Sequence, residues 1–237
     1  MNMHTNLRRR SLLLGLVGTG FVSACTRVGD LTTSMGVDYT TTSSIRGIRP
    51  RISIDENVTS PDVMYAAITE GPHSLPAIPY QKVPSKFRRQ IVPNTTGEAP
   101  GTIVVNTKEH LLYFVQPGGD ALRYGVGIGK AGFEWSGRAV IQYKREWPTW
   151  TPPSEMVSRR PELVKWANGQ PGGPDNPLGA RALYIFKDGQ DTLYRVHGSP
   201  EWWSIGESMS SGCVRLMNQD IIDLFNRVPN GSPIVVI

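Results

Sequence analysis

Two residues in the last third of the 237-residue chain have the types and spacing for nucleophilic catalysis. They are His197 and Cys213, 16 positions apart. The stretch reads Val196-His197-Gly198-Ser199-Pro200, then Ile205-Gly206, then Ser210-Ser211-Gly212-Cys213-Val214-Arg215-Leu216. A thiol of ordinary pKa, about 8.5, is mostly protonated at neutral pH. An imidazole that takes its proton turns it into a strong nucleophile and then serves as the acid for a leaving amine. Gly212 permits a tight turn, so the main-chain N–H groups of Gly212 and Cys213 are candidates for holding one oxyanion.

Two other readings compete with this one. A histidine near a cysteine is often purely structural. Zinc is the sharper rival, but a closed site needs four ligands, and the chain has no HExxH or CxxC to supply them. Cysteine counting favours a working thiol. The only cysteines are Cys25 and Cys213. A disulfide between them would tie the site to the far end of a long polar segment. If Cys25 is modified, Cys213 has no partner, and a lone thiol in an oxidising compartment needs a task to justify it.

The elements that must position the pair are short strands. Residues 102–106 (TIVVN) and 110–116 (HLLYFVQ) read as strands, with a Pro-Gly-Gly-Asp turn at 117–120. Residues 122–128, 138–144, 182–186 and 194–196 read as further strands, the last ending near His197. The cysteine is expected on a turn leading into a helix. Met217, Ile221, Leu224, Phe225 and Val228 have helical spacing, Asn218 is a candidate N-cap, and Pro229-Asn230-Gly231 ends the helix. Residues 234–237 form a last strand. The fold class is therefore mostly β with one or a few short helices, arranged as a sandwich or barrel-like body.

Three segments are expected: 1–24, 25–97 and 98–237. The first has Arg8-Arg9-Arg10, the apolar run 11–22, and no acidic residue. These are the parts of an export signal, and the run is too short for a membrane span of about 20 apolar residues. Arg9-Arg10-Ser11-Leu12-Leu13 resembles a twin-arginine signal, and a plain secretory signal with extra basic charge reads equally well. Val22-Ser23-Ala24-Cys25 resembles a bacterial lipobox, which makes Cys25 the expected lipidation site and puts the protein outside the cytoplasm, in the periplasm, on a lipid anchor. Cleavage after Ala24 without lipidation is the rival. Losing three arginines from the 25 basic residues leaves 22 against 20 acidic ones, so the formal +5 falls to +2 and gives no reason to bind nucleic acid. Residues 25–97 are rich in Pro, Ser and Thr and lack sustained periodicity. They read as a partly disordered tether, with a short helix within 60–70 and some packing near 84–92.

The motif at 196–237 resembles the catalytic end of the YkuD-type L,D-transpeptidases, whose pattern is HG, a loop with IG, then S-H-G-C-[IV]-R-[ML]. The matches are His197-Gly198, Ile205-Gly206, Ser210 and Gly212-Cys213-Val214-Arg215-Leu216. The likeness extends upstream to about residue 98, through Gly125–Gly132 (GVGIGKAG) and Trp147–Pro153 (WPTWTPP). It implies a cysteine acyltransferase of the bacterial wall without cofactor or metal. Cys213 is expected to attack the third-residue carbonyl of a donor peptidoglycan stem and release D-alanine. His197 shuttles the proton, the Gly198 carbonyl orients its ring, and the N–H groups of Ser211, Gly212 and Cys213 form the oxyanion hole. An amine then resolves the thioester, either from a second stem or from a protein lysine, an outer-membrane protein included. A hydrolase of the same stem and a non-catalytic wall-binding lipoprotein are the alternatives.

The chain departs from the pattern at Ser211, where the family often has histidine, which leaves His197 as the base. Arg215 reads as a contact for a substrate carboxylate or as the partner of a helix acid. Trp202 and Trp203, lying between His197 and Cys213, are candidate groove residues. His73 and His110 have no partner pattern and read as surface residues. Gly125-x-Gly127-x-Gly129-Lys130 lacks the spacing of a phosphate loop and reads as a hairpin. Glu146 and Glu155 do not form a glycosidase pair.

Overall fold

The computed structural model describes residues 60–129, 136–209 and 213–237. The expectations for residues 1–59, the export signal and Cys25 included, lie outside them. Strands β1 (Ile68–Glu70) and β2 (His73–Leu75) form a small hairpin. The remaining strands are β3 (Gln90–Pro93), β4 (Ile103–Asn106), β5 (Leu111–Val115), β6 (Asp120–Gly125), β7 (Gly127–Gly129), β8 (Gly137–Glu146), β9 (Arg181–Lys187), β10 (Gln190–Ser199), β11 (Ser208–Met209), β12 (Val214–Met217) and β13 (Pro233–Val236). They join in one sheet, in the order β11-β7-β12-β10-β9-β8-β13-β4-β5-β6-β3. Helices α1 (Pro61–Met64) and α2 (Ser154–Arg159) are short, and α3 (Asn218–Arg227) follows β12 directly.

The chain is mostly β, as its texture indicates. β4 (IVVN) and β5 (LLYFV) are almost wholly apolar: Ile103, Val105, Leu112 and Phe114 enter a core that takes side chains from β4–β10, β12, β13 and α3, while Leu111 on the other face joins a second cluster. Ile221, Leu224 and Val228 recur at helical spacing, and this stripe of α3 is buried in that core. Burying each of these aliphatic side chains contributes about 1.5–3 kcal/mol.

Two expectations change. Residues 60–97 are not a tether. They form α1, the β1–β2 hairpin, two single-turn 3-10 helices and β3, which pairs antiparallel with β6. A second apolar cluster joins Met64, Tyr65, Ile78, Val83 and Phe87 to Leu111, Ile205 and Met217. Phe87 fits because Gly125 and Gly206 leave room for it: a Cβ at either would collide with Phe87. The second change concerns Cys213: a strand, β12, stands between its turn and the expected helix, and that strand sets the site.

Candidate active site

β12 runs parallel to β10, in the register Val196↔Val214, His197↔Arg215 and Gly198↔Leu216. β9 flanks β10 on the other side, with Tyr184↔Arg195 and Ala182↔His197. Strand side chains alternate between faces. Val196, Val214 and Leu216 are fully buried in the core. Arg195, His197 and Arg215 therefore share the opposite face. Continued back by one residue, the register sets Cys213 level with Arg195. The thiol and the imidazole thus stand on neighbouring strands, two residues out of register, on one face.

His197 is only 4% exposed. Its Nδ1 lies 2.6 Å from the Gly198 carbonyl oxygen. A carbonyl only accepts, so Nδ1 carries the proton and donates, which leaves Nε2 with the free lone pair. Burial drives the His197 pKa down to about 4, and the charges of Arg215 and Arg195 push the same way. Burial raises the Cys213 thiol above its ordinary value, while the Arg195 N–H and the two arginine charges pull it back. Both shifts favour the uncharged forms, a thiol and a neutral imidazole.

The ring's anchor is itself anchored. The face of Gly198 bearing its missing side chain lies against Asn218 Oδ1 and Ile221, and Gly179, at φ +61°, closes on the same oxygen. Asn218 Oδ1 accepts the Ala180 N–H at 2.9 Å. The N-cap of α3 is Met217, and Asn218, the expected cap, is the first residue of the helix. Its amide joins the start of α3 to the strands that carry His197. The chain could have pointed to this only through the coincidence of a polar residue with two glycines, Gly179 and Gly198, that are distant in sequence.

The other candidates divide. Arg215 Nη1 lies 3.4 Å from Glu201 Oε2, an acid of the loop after β10. Trp202 packs against the second apolar cluster, whereas Trp203 is 60% exposed, with the two rings edge-on at 5.8 Å. Ser211 and Gly212 lie outside the described residues, as does Lys130 of the expected hairpin. His73 stacks on Trp147 at 4.2 Å, and His110 Nε2 sits 3.2 Å from Ser208 Oγ. Among the described residues no three His, Cys, Asp or Glu side chains come together as a metal site. Three residues that the motif did not flag also sit here: Tyr184, Asp191 and Arg195.

A sequence profile of the L,D-transpeptidase catalytic domain, YkuD, matches residues 100–236. The chain belongs to the L,D-transpeptidase family. It is 32% identical to the probable L,D-transpeptidase YbiS of Escherichia coli, over 90% of this chain and 73% of that protein. It is 38% identical to the probable L,D-transpeptidase ErfK/SrfK of the same species over 62% of this chain, spanning 46% of that longer protein. A solved Brucella melitensis chain described as a probable carnitine operon oxidoreductase is 46% identical, covering 67% of this chain and 99% of that one, at a TM-score of 0.46. For this L,D-transpeptidase-family chain, the motif carrying His197 and Cys213 falls inside the matched span.

Proposed function

We propose that this protein is a cysteine-dependent L,D-transpeptidase acting on peptidoglycan stem peptides. The observation that carries the reading is the His197 tautomer: with Nδ1–H given to the Gly198 carbonyl, Nε2 is the basic atom on the face that holds Cys213. In the first half-reaction the Cys213 proton passes to His197 Nε2 as sulfur attacks the stem carbonyl. The tetrahedral oxyanion collapses, the C–N bond to D-alanine breaks, and Nε2–H protonates the departing amine. This leaves a thioester and a neutral imidazole. In the second, an acceptor amine loses its proton to Nε2 and attacks the thioester. The new amide forms, and the proton returns to sulfur. The N–H groups of Ser211, Gly212 and Cys213 are the proposed oxyanion donors, and Arg215 and Trp203 the proposed substrate contacts.

Export and lipidation at Cys25, which would place the enzyme in the periplasm on a membrane anchor, complete the proposal. Mass spectrometry of the mature N-terminus checks this part, and an unmodified Cys25 removes the anchor.

The chemistry is tested by incubating the folded protein with a carbapenem. One adduct is expected, on the Cys213 peptide, with none on Cys213→Ala. That variant should also lose turnover by roughly 10⁴-fold or more on tetrapeptide-stem wall. An unlabelled Cys213 in the folded protein overturns the reading in favour of a binding module. Muropeptide products separate transfer from hydrolysis, since loss of tetrapeptide without new cross-linked dimers means that water resolves the thioester. The kcat/KM profile should keep its acid limb near pH 4, where His197 gains its second proton.

A further inference from the structure

Arg195 stands level with the sulfur, and the reaction as written gives it no task. Its setting is nevertheless costly to build. β10 pairs with β9 at Asp191↔Phe186 and next at Arg195↔Tyr184, so β10 inserts two extra residues between those pairs. The bulge is stitched internally. Thr192 Oγ1 donates to the Ile185 carbonyl at 2.7 Å, and the Leu193 N–H donates to Asp191 Oδ1 at 2.8 Å. Leu193 sits at φ +62° with its side chain 77% exposed, a left-handed conformation unfavourable for leucine and not offset by burial.

The bulge brings one acid onto one base. In an extended strand, residues four apart stand about 13 Å from each other. Here Arg195 Nη1 and Nη2 donate to the two Asp191 carboxylate oxygens at 2.7 and 2.8 Å. The guanidinium also lies over the Tyr184 ring, 4.3 Å from its centroid, and Tyr184 stacks on Tyr143. A fork bonded at both prongs and laid on an aromatic plane has little freedom left.

We propose that Arg195 is a positioning residue for the nucleophile: its locked guanidinium keeps positive charge on the face where the thiolate forms. This rests on Cys213 being the reactive thiol. Among the described residues, the charged and titratable groups on the sulfur's face are His197 and Arg195 from β10, Arg215 from β12 and Tyr184 from β9, with Glu201 and Asp191 as the arginines' partners. Of these, His197 is neutral above pH 4 and Tyr184 is raised above its ordinary value by burial, so the two arginines are the cations that favour thiolate.

The test is the pH dependence of iodoacetamide alkylation in the full chain, read by mass spectrometry on the Cys213 peptide so that Cys25 does not interfere. Arg195→Gln should raise the midpoint by at least about half a pH unit, cutting the thiolate fraction at neutral pH about threefold. Arg195→Lys, which keeps the charge but loses the fork, should recover at least half of that shift. If Arg195→Gln does not fold, Arg195→Met, which keeps the length and packing, takes its place. A wild-type midpoint in a folded neutral variant, or an Arg195→Lys midpoint equal to that variant's, overturns the proposal. A failure of Cys213 as nucleophile is seen separately, as turnover retained by Cys213→Ala.

Discussion

Two buried polar groups in this molecule respond to the same physical pressure in opposite ways. On the site face, Cys213 and His197 stand among arginines. Where α3 meets residues 65–89, carboxylates take the leading place. Arg89 reaches Asp223 at 2.7 Å and Asp220 at 3.7 Å, Tyr124 Oη donates to Asp223 at 2.6 Å, and Tyr65 Oη lies 3.4 Å from Asp220. Arg227 closes on Asp223 from the last turn of α3. Burial raises Asp220 to about 7 and lowers His197 to about 4. In both places it favours the uncharged form. The α3 group uses its hydrogen bonds to hold the N-terminal segment in place. Among the described residues the site face commits the imidazole at Nδ1, to the Gly198 carbonyl, which leaves Nε2 able to act.

The sharpest way to break that arrangement is Gly198→Ala. The new methyl meets Asn218 Oδ1 and Ile221, so the carbonyl holding the His197 ring must move. Catalysis should fall by about 10² or more, since small misplacements of a catalytic group cost that much, and overpacking should cost about 1–3 kcal/mol of stability. Both are measurable, by muropeptide turnover and by urea denaturation. Native turnover in this variant would mean that the anchor is dispensable.

The opposed pKa shifts predict a smaller effect, on pH dependence. His197 is lowered from 6.5 to about 4, so the unfolded chain binds its proton first and stability rises with pH between 4 and 6.5. Asp220 is raised from 3.8 to about 7, so the folded chain holds the extra proton and stability falls as pH rises from 3.8 through 7. Between pH 4 and 6.5 these two contributions offset each other in the parent protein. Asp220→Asn should expose the rising slope and His197→Gln the falling one, each up to about 1.4 kcal/mol per pH unit in denaturation midpoints converted to free energy. Parallel profiles for the parent and both variants would show that burial does not control the two groups in this way.

The smallest effect is expected at the bulge. Leu193→Gly relieves the left-handed backbone without opening a cavity, while adding chain entropy to the unfolded state. The net change in stability should lie within about 1 kcal/mol and turnover should be unchanged. A large loss would show that the Leu193 side chain has work of its own.

How much of this was legible depended on how local each feature is. Cys213, His197 and Gly198 lie in one short motif, and their chemistry follows from residue type. Arg195 and Asp191 looked ordinary because the bulge that joins them depends on β9, and no spacing along β10 reveals two inserted residues. Asn218 read as a cap because a polar residue at a helix start usually caps, whereas here the Ala180 N–H competes for its oxygen and wins. Residues 60–97 lacked periodicity for a physical reason. Their elements are one or two turns long, and Tyr65 and Phe87 lodge singly in pits offered by the larger body, so neither the helical nor the strand period repeats.

β3 has one further consequence, for solubility. Without it, β6 would be the rim of the sheet, and Ala121, Leu122 and Tyr124 are fully buried there. An unpaired strand of that composition is a template for another molecule's strand and a route to aggregation. β3 takes over the rim with a strand of four residues that ends in Pro93, whose nitrogen has no hydrogen to offer a newcomer. The segment that looked like slack chain therefore covers an apolar strand that would otherwise be an open edge.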